Sequence, residues 1–311
     1  MIPRRLQNAV LWEVWATWGL FFLTAVAVFA TYWRIPPEKL WKVHNTGFVG
    51  GAGRAFVFLS FSAALAACGA LPIVVDRIGT RAAVAAGLVA FGLCATVAAP
   101  GVQTEGHLDP KWLNLPAVIG VGLTVALTGW ATVRSRRDAP PPSHGGDRAR
   151  LAVGVVALFF AAPYVAAELG FFLDGVPLLG SIFQTGRIRP EPGAGYSHPA
   201  VHHGHHHGMD GFLLAVSALL LSRLVGRIGN SALRGVTAFY LALMLVYGLT
   251  NETEDLWIEQ VVKRGWTTWQ IPNVLHPSLS LAWAAMVAVA ALVYVAAFRP
   301  RRQAARPSPR T

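Results

Sequence analysis

Apolar residues run along this chain in long blocks separated by short polar, basic or glycine/proline-rich stretches. The blocks are neither the two-residue alternation of half-buried strands nor the narrow stripe of a soluble helix. A membrane-crossing helix needs about 20 mostly apolar residues. On that measure the pattern predicts eight spans, near residues 9–32, 55–75, 82–100, 115–133, 151–173, 210–228, 232–250 and 273–298. The expected fold is all-α: a polytopic transmembrane helix bundle forming one domain over residues 1–298. A cytoplasmic linker is expected at about 134–150, around the run Pro140-Pro141-Pro142, and an outer histidine-rich loop at about 174–209. Residues 299–311 read as a disordered basic cytoplasmic tail.

Composition agrees with the pattern. Of 311 residues, 54% are hydrophobic and only 13% charged, about half the charge of a typical soluble domain. The formal net charge of +11 would suggest nucleic acid in a soluble protein. Here the basic residues flank apolar runs, so they serve orientation instead, and no nucleic-acid partner is expected. With both termini inside, the inner segments take Arg77, Arg81, Arg148, Arg150, Arg223, Arg227, Arg234 and the arginines of both ends, as the positive-inside tendency requires. The first outer loop, with Arg34, Lys39, Lys42 and Arg54, runs against it. Every histidine but His144 then falls on the outer side. An integral protein of a bacterial-type plasma membrane, with the lipid bilayer as its main partner, is the expected setting. Cys68 and Cys94 lie within apolar runs and form no zinc spacing.

The candidate chemistry gathers at outer span ends. His198, His202, His203, His205, His206 and His207 are six of the ten histidines, immediately before span six. Imidazole is the commonest protein metal ligand. Ser197 or His198 reads as a helix N-cap, with Pro199 at the first helical position. A helix starting there puts His202, His206 and Asp210 on one face at i, i+4 and i+8; His203 and His207 form an adjacent pair. Glu168, near the end of span five, is either a ligand or proton acceptor, or a carboxylate paired with an arginine. Thr250-Asn251-Glu252-Thr253-Glu254-Asp255, with Glu259 beyond, reads either as an acidic exit loop or as further ligands, Glu252 and Asp255 first. Glu254 is the candidate general base. His276, at the head of span eight, is a ligand or a cap. His44, His107 and Asp109 are weaker candidates, and Glu13 in span one reads as structural, with a proton relay as the alternative.

His203-x2-His206-His207 resembles one histidine box of the membrane fatty-acid desaturases and hydroxylases, which hold two irons between several boxes. The resemblance implies iron chemistry but covers five residues. Asp76-Arg77-Ile78-Gly79-Thr80-Arg81 resembles the inner loop between the second and third helices of major-facilitator transporters; here it is read as a tight basic turn. Gly47-Phe48-Val49-Gly50-Gly51-Ala52-Gly53 lacks the lysine and hydroxyl residue of a P-loop and is expected to allow close helix packing or a turn.

The leading expectation is a membrane-embedded metalloenzyme, an oxidoreductase or hydrolase, acting on a lipid-soluble or extracytoplasmic substrate. Its transition metal ion would be iron or zinc, with copper also compatible. The main alternative is metal-ion transport or handling; a membrane haem protein and a structural or assembly role without chemistry are the others.

Overall fold

The structure, a computed structural model, describes residues 11–40, 42–99, 102, 109–134, 144–193, 195–204 and 207–298. Helices dominate it. Helix α1 (Trp12–Arg34) stops where Pro36 and Pro37 follow, since proline cannot continue the ladder. Helices α2 (Gly47–Leu59) and α3 (Ser62–Ile78) form one long segment broken at Ser60 and Phe61. Gly79, at φ 67°, closes α3 in the left-handed conformation that suits glycine. Thr80 then caps α4 (Arg81–Ala95) by accepting the Ala83 N–H. Helices α5 (Leu115–Arg134) and α6 (Asp147–Glu168) follow. After a long loop come α8 (His207–Ser222), α9 (Ser231–Trp257) and α10 (Leu281–Val293), the loop itself holding the short α7 (Leu179–Ile182).

Among the described residues, eight segments are long and apolar enough to cross a membrane: Trp12–Arg34, Gly47–Ile78, Arg81–Ala98, Trp112–Val133, Asp147–Glu168, His207–Arg227, Ser231–Val262 and Leu281–Phe298. Large apolar side chains cover the outside: Phe22 is 66% exposed, Leu88 68% and Leu292 70%. A surface of that kind is stable against hydrocarbon and not against water. These are the marks of an integral multi-pass membrane protein.

Helices α8 and α9 pack antiparallel along their whole length at the centre, contacted by α3, α6 and α10. The glycine-rich stretch does permit close packing. A Cβ on Gly51 would lie 2.5 Å from the Phe29 carbonyl oxygen, so α2 rides directly on the α1 backbone. At the opposite end from the histidine strip, Arg223 binds Glu13 at 2.7 Å and Asp147 at 3.3 Å, and its guanidinium lies 2.8 Å from the His144 ring. Glu13 is thus held in an ion pair between α1 and the end of α8.

Several sequence expectations differ from the fold. Span eight begins at Leu281 and not at 273, so His276 precedes the helix instead of heading it. Ser197–Pro199 is not a helix start. It is strand β2, paired antiparallel with β1 (Ile188–Pro190), Ile188 opposite Pro199 and Arg189 opposite His198. Both strands end in proline, tolerated in so short a ribbon because no further strand needs that N–H. Gly204, at φ 141°, turns the chain ahead of α8, whose described residues are His207–Ser222. The seventh span does not end at 250. Glutamate and leucine are good helix formers, and α9 runs on to Trp257, then through a π-helical turn over Ile258–Val262. The linker is shorter on its far side than 134–150, because α6 already begins at Asp147. The tail 299–311 and the triple proline lie outside the described residues.

Candidate metal centre

The antiparallel pairing of α8 with α9 brings the first residue of one helix beside the last turns of the other. His207, Glu254 and Asp255 meet there, each offering a ligand atom within 4.8 Å of the others. His207 Nδ1 lies 3.9 Å from Glu254 Oε2. Asp255 Oδ2 accepts the Gly208 N–H at 2.6 Å, a carboxylate at a helix N-terminus, where the backbone dipole favours negative charge. That bond holds the carboxyl group facing His207. Glu254 is only 4% exposed, and its Oε2 has no hydrogen bond among the described residues. The Tyr164 ring packs against Gly208 so closely that a Cβ there would sit 2.6 Å from it. Glu252, one turn back on α9, is buried, and its Oε2 has no hydrogen bond among the described residues.

Donor atoms around one ion, with bonds of about 2.0–2.2 Å, sit roughly 3.4 Å apart. The donor atoms of this group are somewhat farther apart than that, within 4.8 Å of one another. Among the described residues it is the single cluster of three such donors within that limit.

A second polar group lies deeper. Arg54 of α2 is buried, with its Nε donating to the Tyr32 hydroxyl at 3.3 Å and its Nη2 4.0 Å from Glu168 Oε1. Asp210, one turn into α8, accepts the Ser62 hydroxyl at 2.8 Å. Ser62 begins α3 just past the helix break, while Ser60, before the break, accepts from Asn114 Nδ2 at 2.8 Å. The break is thus where hydroxyl groups turn inward. Glu168 is a carboxylate facing an arginine, and Asp210 sits with that group rather than on a face with His202.

The loop from Leu169 to Gly204 lies over these groups and is pinned to the end of α9. Gln184 N–H donates to Gln260 Oε1 at 2.9 Å, and Gln260 Nε2 donates back to the Gln184 carbonyl at 2.9 Å. Lys263 Nζ reaches Glu191 at 3.0 Å, Glu259 at 3.7 Å and the Ala200 carbonyl at 3.1 Å. Glu191 also meets His198 Nε2 at 2.6 Å. His202 Nδ1 stands 3.7 Å from Glu259 Oε1, and its ring meets His198 edge-on.

Burial works to raise the Glu191 carboxyl, but the His198 ring and the Lys263 ammonium outweigh it and hold the group below the usual carboxylate range. A carboxyl depressed in the folded state stabilises fully above its unfolded value of about 4.3 and loses that contribution as pH falls through the folded value. The melting-temperature lead of wild type over Glu191→Gln should therefore be flat from about pH 8 to about pH 5 and shrink below about pH 4.3. A lead that persists unchanged at pH 3 would refute the pairing.

The histidine strip is divided by the fold. His202 belongs with Glu259 and Lys263, and His203 stacks on Phe172 with ring centroids 4.2 Å apart. Burial, the largest influence, lowers the His203 ring below its ordinary value, with the Arg34 charge adding to it. Among the described histidines only His207 reaches the carboxylates of α9. His205 and His206 lie outside the described residues, as does His107; His202 lies outside the helix that carries Asp210. His276 is exposed beside an apolar cleft and is not in the three-donor cluster. Asp109 pairs with His44 at 2.7 Å. Glu252 and Asp255 do continue on a helix, not an exit loop. Sequence reading assigned no role in the site to Arg54, Tyr32, Tyr164, Glu191 or Lys263. Arg54 carried one readable signal, a charge inside an otherwise apolar glycine-rich helix.

No family model matches the chain, and no curated protein or solved structure matches it. The chemistry of the site therefore rests on its own residues.

Proposed function

We propose that this protein is a membrane-embedded metalloenzyme whose centre is held by His207, Glu254 and Asp255. The observation that carries the reading is the convergence of these three side chains from two antiparallel helices, at the boundary of the spans. One imidazole and two carboxylates suit iron or zinc. Such an ion activates bound water or polarises an oxygen of the substrate. Around it, Gly208 orients Asp255 through its N–H. Glu254, expected from sequence as the general base, stands among the donors; Glu252, buried and with one oxygen uncommitted, takes the base role instead. Glu168 and Asp210, held by Arg54 and Ser62, keep a deeper polar wall. With the basic Arg223 end inside, as the lysine and arginine distribution favours, the centre faces the extracytoplasmic side and both termini the cytoplasm. A reporter fused to the C-terminus should then read as cytoplasmic.

Metal counting on the detergent-purified protein, after incubation with ferrous iron or zinc, tests the centre. About one ion per chain is expected in wild type and in His202→Ala. His207→Ala and Glu254→Gln should bind at least tenfold more weakly. A wild type without stoichiometric metal would overturn the reading. Metal accumulating inside proteoliposomes would keep the centre and replace the enzyme with a transporter.

A further inference from the structure

On the same face of α9 as the proposed centre, nearer the middle of the helix, lies a half-open apolar cleft. Phe61 at the helix break, Leu65 of α3, Tyr240, Met244 and Tyr247 of α9, and Trp283 of α10 line it, and its volume is about 100 Å³. A single water needs roughly 10–15 Å³ of such space, so the cleft admits a group of several heavy atoms. Both phenols are already committed: the Tyr240 hydroxyl donates to the Leu65 carbonyl at 2.7 Å and Tyr247 to the Leu275 carbonyl at 2.9 Å. The Trp283 indole N–H is not. It is fully buried and has no acceptor among the described residues. Buried donors are almost always satisfied, so an unsatisfied one on a cleft wall points to an oxygen that arrives with a ligand.

The cleft also has a direction. Tyr240, Met244, Tyr247, Asn251 and Glu254 fall on one stripe of α9 at steps of four, three, four and three. Tyr247 to Glu254 is about two turns, roughly 10 Å. Between them sits Asn251, 2% exposed, whose Nδ2 donates to the Tyr247 carbonyl while its Oδ1 has no partner among the described residues. Phe61 of the cleft is the residue of the helix break, next to the Ser62 that binds Asp210. His276 stands exposed at the rim. The mouth is flanked by the lipid-facing start of α10, where Leu281 is 87% exposed.

We infer that the cleft binds a neutral, lipid-dissolved carbonyl compound, whose oxygen accepts the Trp283 N–H, and that this is the substrate class of the proposed centre. Apart from His276 at the rim, no ionic side chain lines the walls, and a donor-only indole selects an acceptor. Apolar lining with one placed polar group is the usual character of such sites. The substrate role rests on the metal-centre reading; the binding does not.

Two probes separate the sources of the carbonyl, a decyl-substituted benzoquinone and methyl oleate, with decane as the carbonyl-free control. Binding to the purified full-length protein is read by titration calorimetry. Wild type should bind one of the two carbonyl probes at one site and decane at least tenfold more weakly. Trp283→Phe, which keeps the ring and removes the N–H, should weaken that probe about tenfold, and Met244→Trp, which fills the space, should abolish it. His207→Ala should lose metal and keep probe binding. If only metal fails to bind, the centre falls and the cleft stands. Wild type that binds neither probe, or binds it equally in Trp283→Phe and Met244→Trp, overturns the cleft.

Discussion

Replacing Arg54 with methionine should destabilise the protein by about 3–5 kcal/mol, the usual consequence of removing one partner from a buried ionic group. Arg54 is only 3% exposed, and Glu168 facing it likewise. Without the guanidinium, Glu168 remains buried opposite an apolar side chain, and the Tyr32 hydroxyl loses the Nε–H that it accepts. The methionine preserves most of the volume, so the loss reports charge and not a cavity. Neutralising the carboxylate as well, in Arg54→Met/Glu168→Gln, should recover at least half of it, because a buried pair replaced on both sides is often close to neutral. Thermal unfolding in one detergent measures both variants. A single variant that melts with wild type, or a double variant no better than the single, would show that the Arg54–Glu168 pair contributes nothing.

Gly248→Ala should be less damaging to stability but should also weaken metal binding. Its Cβ would lie 2.5 Å from the Gly211 carbonyl oxygen and 3.0 Å from the Ala215 nitrogen. Both are backbone atoms of α8, so no rotamer change relieves the contact and the helices must part. Overpacking of this kind is worth about 1–3 kcal/mol. Parting α8 from α9 also draws His207 away from Glu254 and Asp255, so metal affinity should fall together with the melting temperature. The bulkier Gly248→Leu should not fold. Gly122→Ala is the control: nothing lies within 4 Å of its Cβ, and alanine in place of a helical glycine favours the helix by about 1 kcal/mol. Metal binding that survives Gly248→Ala at full affinity would separate the centre from the helix pairing and refute the geometry.

The two variants mark where reading the sequence succeeds and where it stops. Gly211 and Gly248 are small residues in apolar helices, which announces close packing, but nothing in either segment names the other as its partner. Arg54 was legible as a charge near a span and illegible as the counter-charge of Glu168, which lies 114 positions away. The seventh span was cut at 250 because hydropathy falls there. The helix does not stop, since helix formation follows backbone hydrogen bonding and packing, and the carboxylates of 252–259 are buried by α8 and the loop rather than hydrated. The helix start at Ser197 failed for the opposite reason. Its capping pattern is a local preference worth about 1 kcal/mol, and pairing with Ile188–Pro190 outweighs it.

The sequence by itself determined that this chain is a bundle of eight apolar helices, and that its histidines and most of its carboxylates gather toward one end. Both follow from the period and length of apolar runs, which act residue by residue along the chain. Which donors meet was decided only by the tertiary structure. The antiparallel contact of Gly211 with Gly248 brings His207 to Glu254 and Asp255. The β-hairpin carries His198 and His202 off to Glu191 and Glu259, and the broken second helix delivers Arg54 and Ser62 to Glu168 and Asp210. Contact between distant positions depends on how helices dock, and the energy of docking resides in surfaces that no single segment contains.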